Sequence, residues 1–374
     1  MVVEVTRHIK RPVERELWAR AAARCQFSGC NKLLYKSAVT QESVNVSQNA
    51  HIYAFSENGP RGWGLFKTKP TSLNDVSNLM LMCYDCHKKI DEKGSEDKMQ
   101  HEQRIEILTG IDPDRKSNVV LYGSNIGTER SPINYHGCVE AMFPNWYPAT
   151  EKPVTLSMVS ELKDHSEQYW QAESQHLTKR FQSKISSIIE EDSCKHFSLF
   201  ALAPQPLLIK LGALLTDKID VETYQLHREP KGWFWQDCSD DFEYIINRPQ
   251  NMEGKPALVL SLSDHVSHER ITRVIGPDTS IWEVTIKQPH NDFMQSKQQL
   301  SLFRKCIRKL IVEIKNTHGD ATPLQIFPVM PVSCAVELGR ARMPKADMPW
   351  LIYDHDIKTQ QFVMAIELRG DLYE

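Results

Sequence analysis

The chain has no uninterrupted run of 18 apolar residues, so no membrane span is expected. Its opening stretch, MVVEVTRHIKRPVER, carries charge from the fourth residue and lacks an apolar h-region, so the expectation is a cytoplasmic chain without an export signal. No fixed-period repeat recurs, which argues against a solenoid or a propeller. Nor do the cysteines come in an even number. Nine of them without an export signal argue against a disulfide framework and for reduced thiols and metal ligation. What is present is ordinary for a folded chain: 41% hydrophobic and 25% charged residues. At 374 residues it exceeds one core, since a domain takes roughly 100–200 residues.

The net charge of −3 is uneven. Residues 1–40 hold eight Lys/Arg against three Asp/Glu, whereas residues 156–374 are net acidic and lack a basic stripe. A basic N-terminal part suits contact with a polyanion, and equally suits a plain solvated surface. The pattern divides the chain into three. In residues 1–112, RPVERELWARAAARC reads as an amphipathic helix with Pro12 in its first turn and Leu17, Ala21 and Ala22 on one side. SENGPRGWG reads as a loop and QHEQRIEILTGI as a closing helix. Residues 113–155, with several Pro and Gly, read as a connecting region whose local structure centres on VVLY. In residues 156–374 strand-like runs (SLFALA, VETYQLH, ALVLSLS, SIWEVTI, PLQIFPVM, WLIYDH) alternate with helical patterns. The longest of these is apolar at 300, 303, 307, 310 and 314, and VSCAVELGRA is shorter. That alternation argues for βα units around a largely parallel sheet.

Four cysteines form two close pairs, Cys25-x4-Cys30 and Cys83-x2-Cys86. Two such pairs are what a closed tetrahedral zinc site uses; the alternative is four unrelated buried thiols. His87 follows Cys86 directly. If Cys86 opens a helix, His87 points about 100° away and cannot share its zinc. Asp91 lies one turn on, on the same face as His87, and the two could hold a second divalent ion with open positions. Upstream, His51 sits in NAHIYAF and Asn78 closes DVSN. Together they suggest a division of labour: His51 deprotonates a water, Asn78 fixes the loop that orients it, and His87 holds a metal on a scissile phosphate. Taken singly, a histidine beside an apolar run is more often structural.

AHI at 50–52, GPRG at 59–62, Asn78-x8-His87 and CxxCH at 83–87 resemble the HNH endonucleases with a ββα-metal site and two Cys pairs. The resemblance covers roughly residues 20–95. It implies His51 as general base, Asn78 as orienting residue, His87 as a ligand of catalytic Mg²⁺ (or Mn²⁺), and Cys25, Cys30, Cys83 and Cys86 around structural Zn²⁺. Asp91, and after it Asn49, complete the catalytic ligands, since many such sites carry a ligand where this chain has Ala50. Arg61 is the candidate phosphate clamp or loop tie.

In residues 156–374 an α/β architecture directs a ligand to the carboxyl ends of the strands. The candidates there are Gln205 after SLFALA, Ser263 and His265 after ALVLSL, and Ser333 after FPVM. Arg228 and Lys231 lie close to Trp233 and Trp235 in HREPKGWFWQD, a set that suits a nucleobase with its phosphate, or alternatively plain packing. As a whole the chain resembles the HNH–SAVED effectors of CBASS anti-phage systems. That resemblance implies an α/β and α+β multidomain chain, a ββα-metal nuclease followed by a SAVED domain of two fused Rossmann-like, CARF-like units. It also implies a cyclic di- or trinucleotide activator made by a partner nucleotidyltransferase, a homo-oligomer (a dimer, or a higher order on activation), and degradation of double-stranded DNA with low sequence specificity. Two other readings stay open: a modification-dependent HNH restriction endonuclease, and a non-catalytic zinc-stapled sensor or DNA-binding protein.

Overall fold

In the computed structural model, which describes residues 8–27, 30–36, 42–52, 73–92, 116–125, 133–142, 145–150, 152–157, 166–191, 194–236, 242–356, 359–370 and 372, RPVERELWAR forms helix α1, Arg11–Arg20. Pro12 sits in the first turn, where its missing N–H would have had no partner, and Glu14 and Arg20 complement the dipole at either end. The helix ends at Arg20, before the Ala21 and Ala22 expected on its face. Ala22 and Ala23 take left-handed φ values of 48° and 55°. Ala22 is therefore exposed, while Leu17 and Ala21 are buried, and the chain turns to bring Cys25 inward.

Two compact units emerge, residues 1–116 with 142–151 and residues 117–141 with 152–374. In the first, strands β1, Ser47–His51, and β2, Leu79–Cys83, pair antiparallel, with Ser47 opposite Cys83 and His51 opposite Leu79. The chain passes straight from β2 into helix α2, Tyr84–Glu92, which packs on both strands. All of β2 is buried because α1 also lies against it. Gln26 extends the pairing: its amide donates to Leu81 O and its Oε1 accepts from Leu81 N, at 2.9 and 2.6 Å. A two-residue strand β4, Tyr147–Pro148, also belongs here, and Pro148 O accepts from Asn31 Nδ2.

The second unit holds two sheets. In one, strand β3, Lys116–Gly123, lies parallel to β5, Val154–Thr155, and to β6, Phe197–Leu202, which in turn pairs with β7, Val221–Thr223. Residues read from sequence as a connecting region thus supply β3, whose run from Ser117 to Tyr122 is buried. The other sheet runs in the order β13-β12-β11-β9-β10-β8, formed by Gln361–Leu368, Trp350–Asp356, Leu324–Val329, Lys255–Ser261, Thr279–Thr285 and Ile245–Asn247. Its four central strands are parallel and both edges antiparallel.

The helices of this unit are α3, Tyr135–Met142; α4, Glu167–Phe181, which runs through a π turn, Gln182–Ser186, into Ser187–Glu191; α5, Gln205–Leu215; α6, His268–Ile275; α7, Lys297–His318; and α8, Val332–Ala341. Leu300, Phe303, Ile307, Leu310 and Ile314 of α7 are buried as the spacing predicts, and Ser296 with Gln299 forms its capping box. After β6 and β11 respectively, α5 and α8 meet at Gly212 and Gly339. A Cβ at either would fall 1.9 Å from a carbonyl oxygen of the other helix. One apolar core joins both sheets with α4, α5, α7 and α8, while Ile271 of α6 belongs to a separate cluster. Among the described residues no helix is long and apolar enough to cross a membrane.

Candidate functional site

The four cysteines expected to hold zinc converge. Cys25 follows the left-handed turn after α1, Cys30 the short loop beyond, Cys83 ends β2 and Cys86 lies in the first turn of α2. Their Sγ atoms all lie within 4.8 Å of one another, and Cys30 and Cys83 are 3.9 Å apart. Tetrahedral Zn–S bonds of about 2.3 Å place sulfurs about 3.8 Å apart, so the donor set fits zinc. Hydrogen bonding to Cys25 draws the Cys30 thiol down to about 7, whereas Cys30 and Cys83 push Cys25 up. A divalent ion binds the thiolate form, so ligation would remove this competition for protons. Among the described residues this is the one group of three or more such side chains able to hold a metal.

His51 ends β1, on the strand face opposite the buried Ala50. Ala50 belongs to the core cluster, so the position that carries a ligand in many similar sites packs here instead. The His51 ring is held by Asn74: Nε2–H donates to Asn74 Oδ1 at 2.9 Å, which leaves Nδ1 as the acceptor nitrogen. Asn74 Nδ2 donates to His8 O at 3.3 Å. Asn78 ties the same turn down, its Nδ2 donating to Leu73 O and its carbonyl accepting from Ile52 N, both at 2.8 Å. The backbone link joins Asn78 to the residue after His51, while the direct contact with the ring comes from Asn74, which sequence reasoning passed over. His87 is half-buried on α2, one residue past Cys86. Asn49 shares the His51 face and its Nδ2 donates to Glu14 Oε1 at 3.4 Å. Asp91 falls in the last turn of α2 with its side chain outside what the structure describes, and Arg61 lies outside the described residues.

In the second unit a cavity of about 460 Å³ opens at the carboxyl ends of β6 and β11. Arg228, Lys231 and Ser263 line it, together with Gln225, His227 and Asp292. Gln205 and Ser333 stand one layer back. Gln205 Oε1 accepts from Met330 N at 3.3 Å, and Gln225 Oε1 takes both the amide and the hydroxyl of Ser333, at 3.2 and 2.8 Å. The Ser333 amide, in the first turn of α8, is therefore already engaged. Trp233 is buried edge-on against Phe200, with centroids 5.3 Å apart, and Trp235 packs on the core beside His227. His265 is exposed, with its amide on Asp264 Oδ1. Neither tryptophan nor His265 lines the cavity. Its cations come from one turn, 227–232, closed by His227 N–H to Gly232 O at 2.8 Å. Asp292 caps that turn by accepting from the amides of Arg228 and Glu229 at 3.1 and 3.3 Å.

Over residues 177–368 the chain matches the family model of SAVED, the SMODS-associated and fused to various effectors sensor domain. The chain belongs to the SAVED family. Residues 25–93 match the HNH endonuclease model, a span that contains the four cysteines, β1, β2 and α2. No curated protein matches. Among solved structures, the SAVED/CARF-domain containing receptor Cap4 of Acinetobacter baumannii is similar both with the cyclic trinucleotide 2'3'3'-cAAA (TM-score 0.46, 11% identity) and with 3'3'3'-cAAA (0.45, 13%). The match covers 76% of this chain and 60% of each of those. Cap4 of Moraxella osloensis is similar at TM-score 0.40 and 12% identity, over 76% of this chain and 59% of that one. The chain thus spans about 60% of the length of the Cap4 receptors that it matches.

Of the residues singled out in the sequence, Arg228, Lys231 and Ser263 line this cavity, and Gln225, His227 and Asp292, which were not singled out, line it too. Gln225 and His227 fall inside a run read as strand. The strand stops at Thr223, because the residues after it leave the sheet to wall the cavity and close the turn. Asp292 acts over 60 residues of sequence, a distance that no local pattern spans.

Proposed function

We propose that the chain is a messenger-gated nuclease: a metal-dependent endonuclease that degrades double-stranded DNA when a cyclic di- or trinucleotide occupies the SAVED cavity, serving as an anti-phage effector. The observation that carries this reading is the presence in one chain of an HNH endonuclease segment, folded as β1, β2 and α2 around four cysteines, and of a SAVED sensor. In this reading the nuclease takes residues 1–112 and the sensor 156–374, and strand β3 from the stretch between completes a sheet of the sensor's unit.

In this reading His51 acts through Nδ1 as general base, drawing a proton from the attacking water. Asn74 holds the tautomer that makes Nδ1 the acceptor, and Asn78 fixes the turn that carries Asn74. His87 and Asp91 would hold a divalent ion, Mg²⁺ in preference to Mn²⁺ on availability. Such an ion takes one or two protein ligands and keeps its waters, so a sparse donor set suits it. When bound it supplies charge neutralisation at the scissile phosphate. Arg61 clamps a phosphate, and contact with DNA rests on phosphates and weakens with salt. Zinc, on the four cysteines, holds the ββα frame.

Messenger binding shifts the population toward an active homo-oligomer, to the extent that the ring binds the active form better. Arg228 and Lys231 at the cavity mouth suit its phosphates. A nucleotidyltransferase supplies the ring.

The test is plasmid degradation by the purified protein in Mg²⁺, with and without a panel of cyclic di- and trinucleotides. Cleavage with one ring alone is expected, and His51→Ala abolishes it by a factor of about 10²–10⁴ with zinc content unchanged. Cleavage with no ring added would identify a restriction-type enzyme instead. Retained cleavage in the variant would remove His51 from the chemistry.

A further inference from the structure

His227 is a cavity residue that the fold buries without using its ring nitrogens. It is 2% exposed, and neither ring nitrogen meets a hydrogen-bond partner among the described residues. Its backbone is fully engaged in closing the 227–232 turn, and its ring stands edge-on to Trp235 with centroids 5.9 Å apart. A buried polar group left without a partner is destabilising, so its retention calls for an explanation.

The surroundings say what would partner it. Leu202, Leu226, Met330 and Val332 make that part of the wall apolar, whereas Arg228 and Lys231 are exposed. Asp292 lines the same cavity, and its carboxylate opposes a second anion near the ring. A phosphate is thereby directed to the cationic mouth and a flat, uncharged heterocycle to the interior. A neutral imidazole offers one N–H donor and one acceptor nitrogen, the complement of a nucleobase that carries both.

We propose that His227 is the specificity-determining residue of the SAVED cavity, hydrogen-bonding a nucleobase of the bound ring while Arg228 and Lys231 hold its phosphates. This rests on the messenger reading above and deepens it. The family match names a sensor, and His227 assigns which part of the ligand is read and by which atoms. The contact discriminates because a site built around a hydrogen bond rejects a base that cannot make it.

Isothermal titration of the full-length chain with cyclic di- and trinucleotides built from adenine, guanine and uracil tests this. Four proteins are compared: wild type, His227→Phe, His227→Gln and Arg228→Ala. Phenylalanine keeps the ring against Trp235 and removes both hydrogen bonds. It is expected to weaken the preferred ring about tenfold while leaving the unliganded melting temperature no lower. It should also compress the ratio of affinities between preferred and rejected rings. Glutamine, which keeps a donor and an acceptor, restores part of that ratio. Arg228→Ala weakens every ring by a similar factor and leaves the ratio unchanged. If His227→Phe keeps the wild-type ratio, or lowers all rings alike, His227 does not read the base. If wild type binds no ring, the messenger reading itself falls, and the His227 contact with it.

Discussion

The two units reach stability by different means. Among the described residues, the first has a two-stranded sheet, one fully buried strand and a core drawn from α1, β2 and the flanks of the cysteines. A lone pair of strands is marginal in water. The second buries a core that joins both sheets, with Trp282, Trp350 and Phe303 fully enclosed, and a separate cluster around Phe327 on the larger sheet. Each such side chain contributes about 1.5–3 kcal/mol or more. In the first unit, zinc on the four cysteines would add to that core, whereas the second unit is held by packing.

Zinc removal is the strongest way to expose that difference. Structural zinc contributes about 10–16 kcal/mol of apparent binding energy in small sites, more than a small unit's whole stability. Stripping the protein with a strong chelator, or making Cys83→Ser, is expected to abolish DNA cleavage and the first unit's calorimetric transition. The second unit's transition should stay. If the first unit's transition survives without metal, the cysteines are packing residues and the contrast collapses.

The next effect belongs to the second unit alone. Because a Cβ on Gly339 would fall 1.9 Å from Ile209 O, and one on Gly212 equally close to Val336 O, either alanine drives α5 and α8 apart. Overpacking of this kind costs about 1–3 kcal/mol. Gly339→Ala should lower the second transition by several degrees and leave zinc content alone. Since α8 begins at the cavity with Val332, messenger affinity should fall as well. A variant with unaltered melting would mean that the helices yield without cost.

The same contrast governs what the sequence could reveal. In the first unit the chemistry was legible because zinc and HNH sites are written in fixed short spacings: Cys25-x4-Cys30, CxxCH and Asn78-x8-His87 all fall into one ββα frame. The ring contact from Asn74 was not, since an asparagine in a turn carries no signal of its own. In the second unit the strands and α7 were legible as apolar runs and a periodic stripe, because both faces of these strands are covered. Helix α4 was not. Its buried set is Tyr169, Trp170, Glu173, Leu177 and Phe181, and a glutamate in the middle of the stripe breaks the apolar pattern that marks a core-facing helix.

That glutamate gives the smallest effect and the one that sets the two units against each other most directly. Glu173 is 1% exposed; Oε2 accepts from Ser124 Oγ at 3.2 Å, and Oε1 has no partner among the described residues. Burial raises its pKa, the Ser124 hydrogen bond opposing. A carboxyl whose folded pKa lies above the unfolded one holds its proton more tightly in the native state. Its contribution is fully present below the unfolded pKa and is lost as pH rises through the folded pKa. Zinc ligation runs the other way, since thiolates must be free of protons and acid weakens the site. Mild acid should thus lower the first transition while favouring the second at Glu173. Glu173→Gln keeps the acceptor for Ser124 and removes the charge, so it should raise the second unit's stability at neutral pH by about 1 kcal/mol. Calorimetry at about pH 5 and about pH 8 checks the sign, the variant losing the wild type's dependence between them. A variant whose second transition tracks wild type at both values would show that some other group gives that unit its pH dependence.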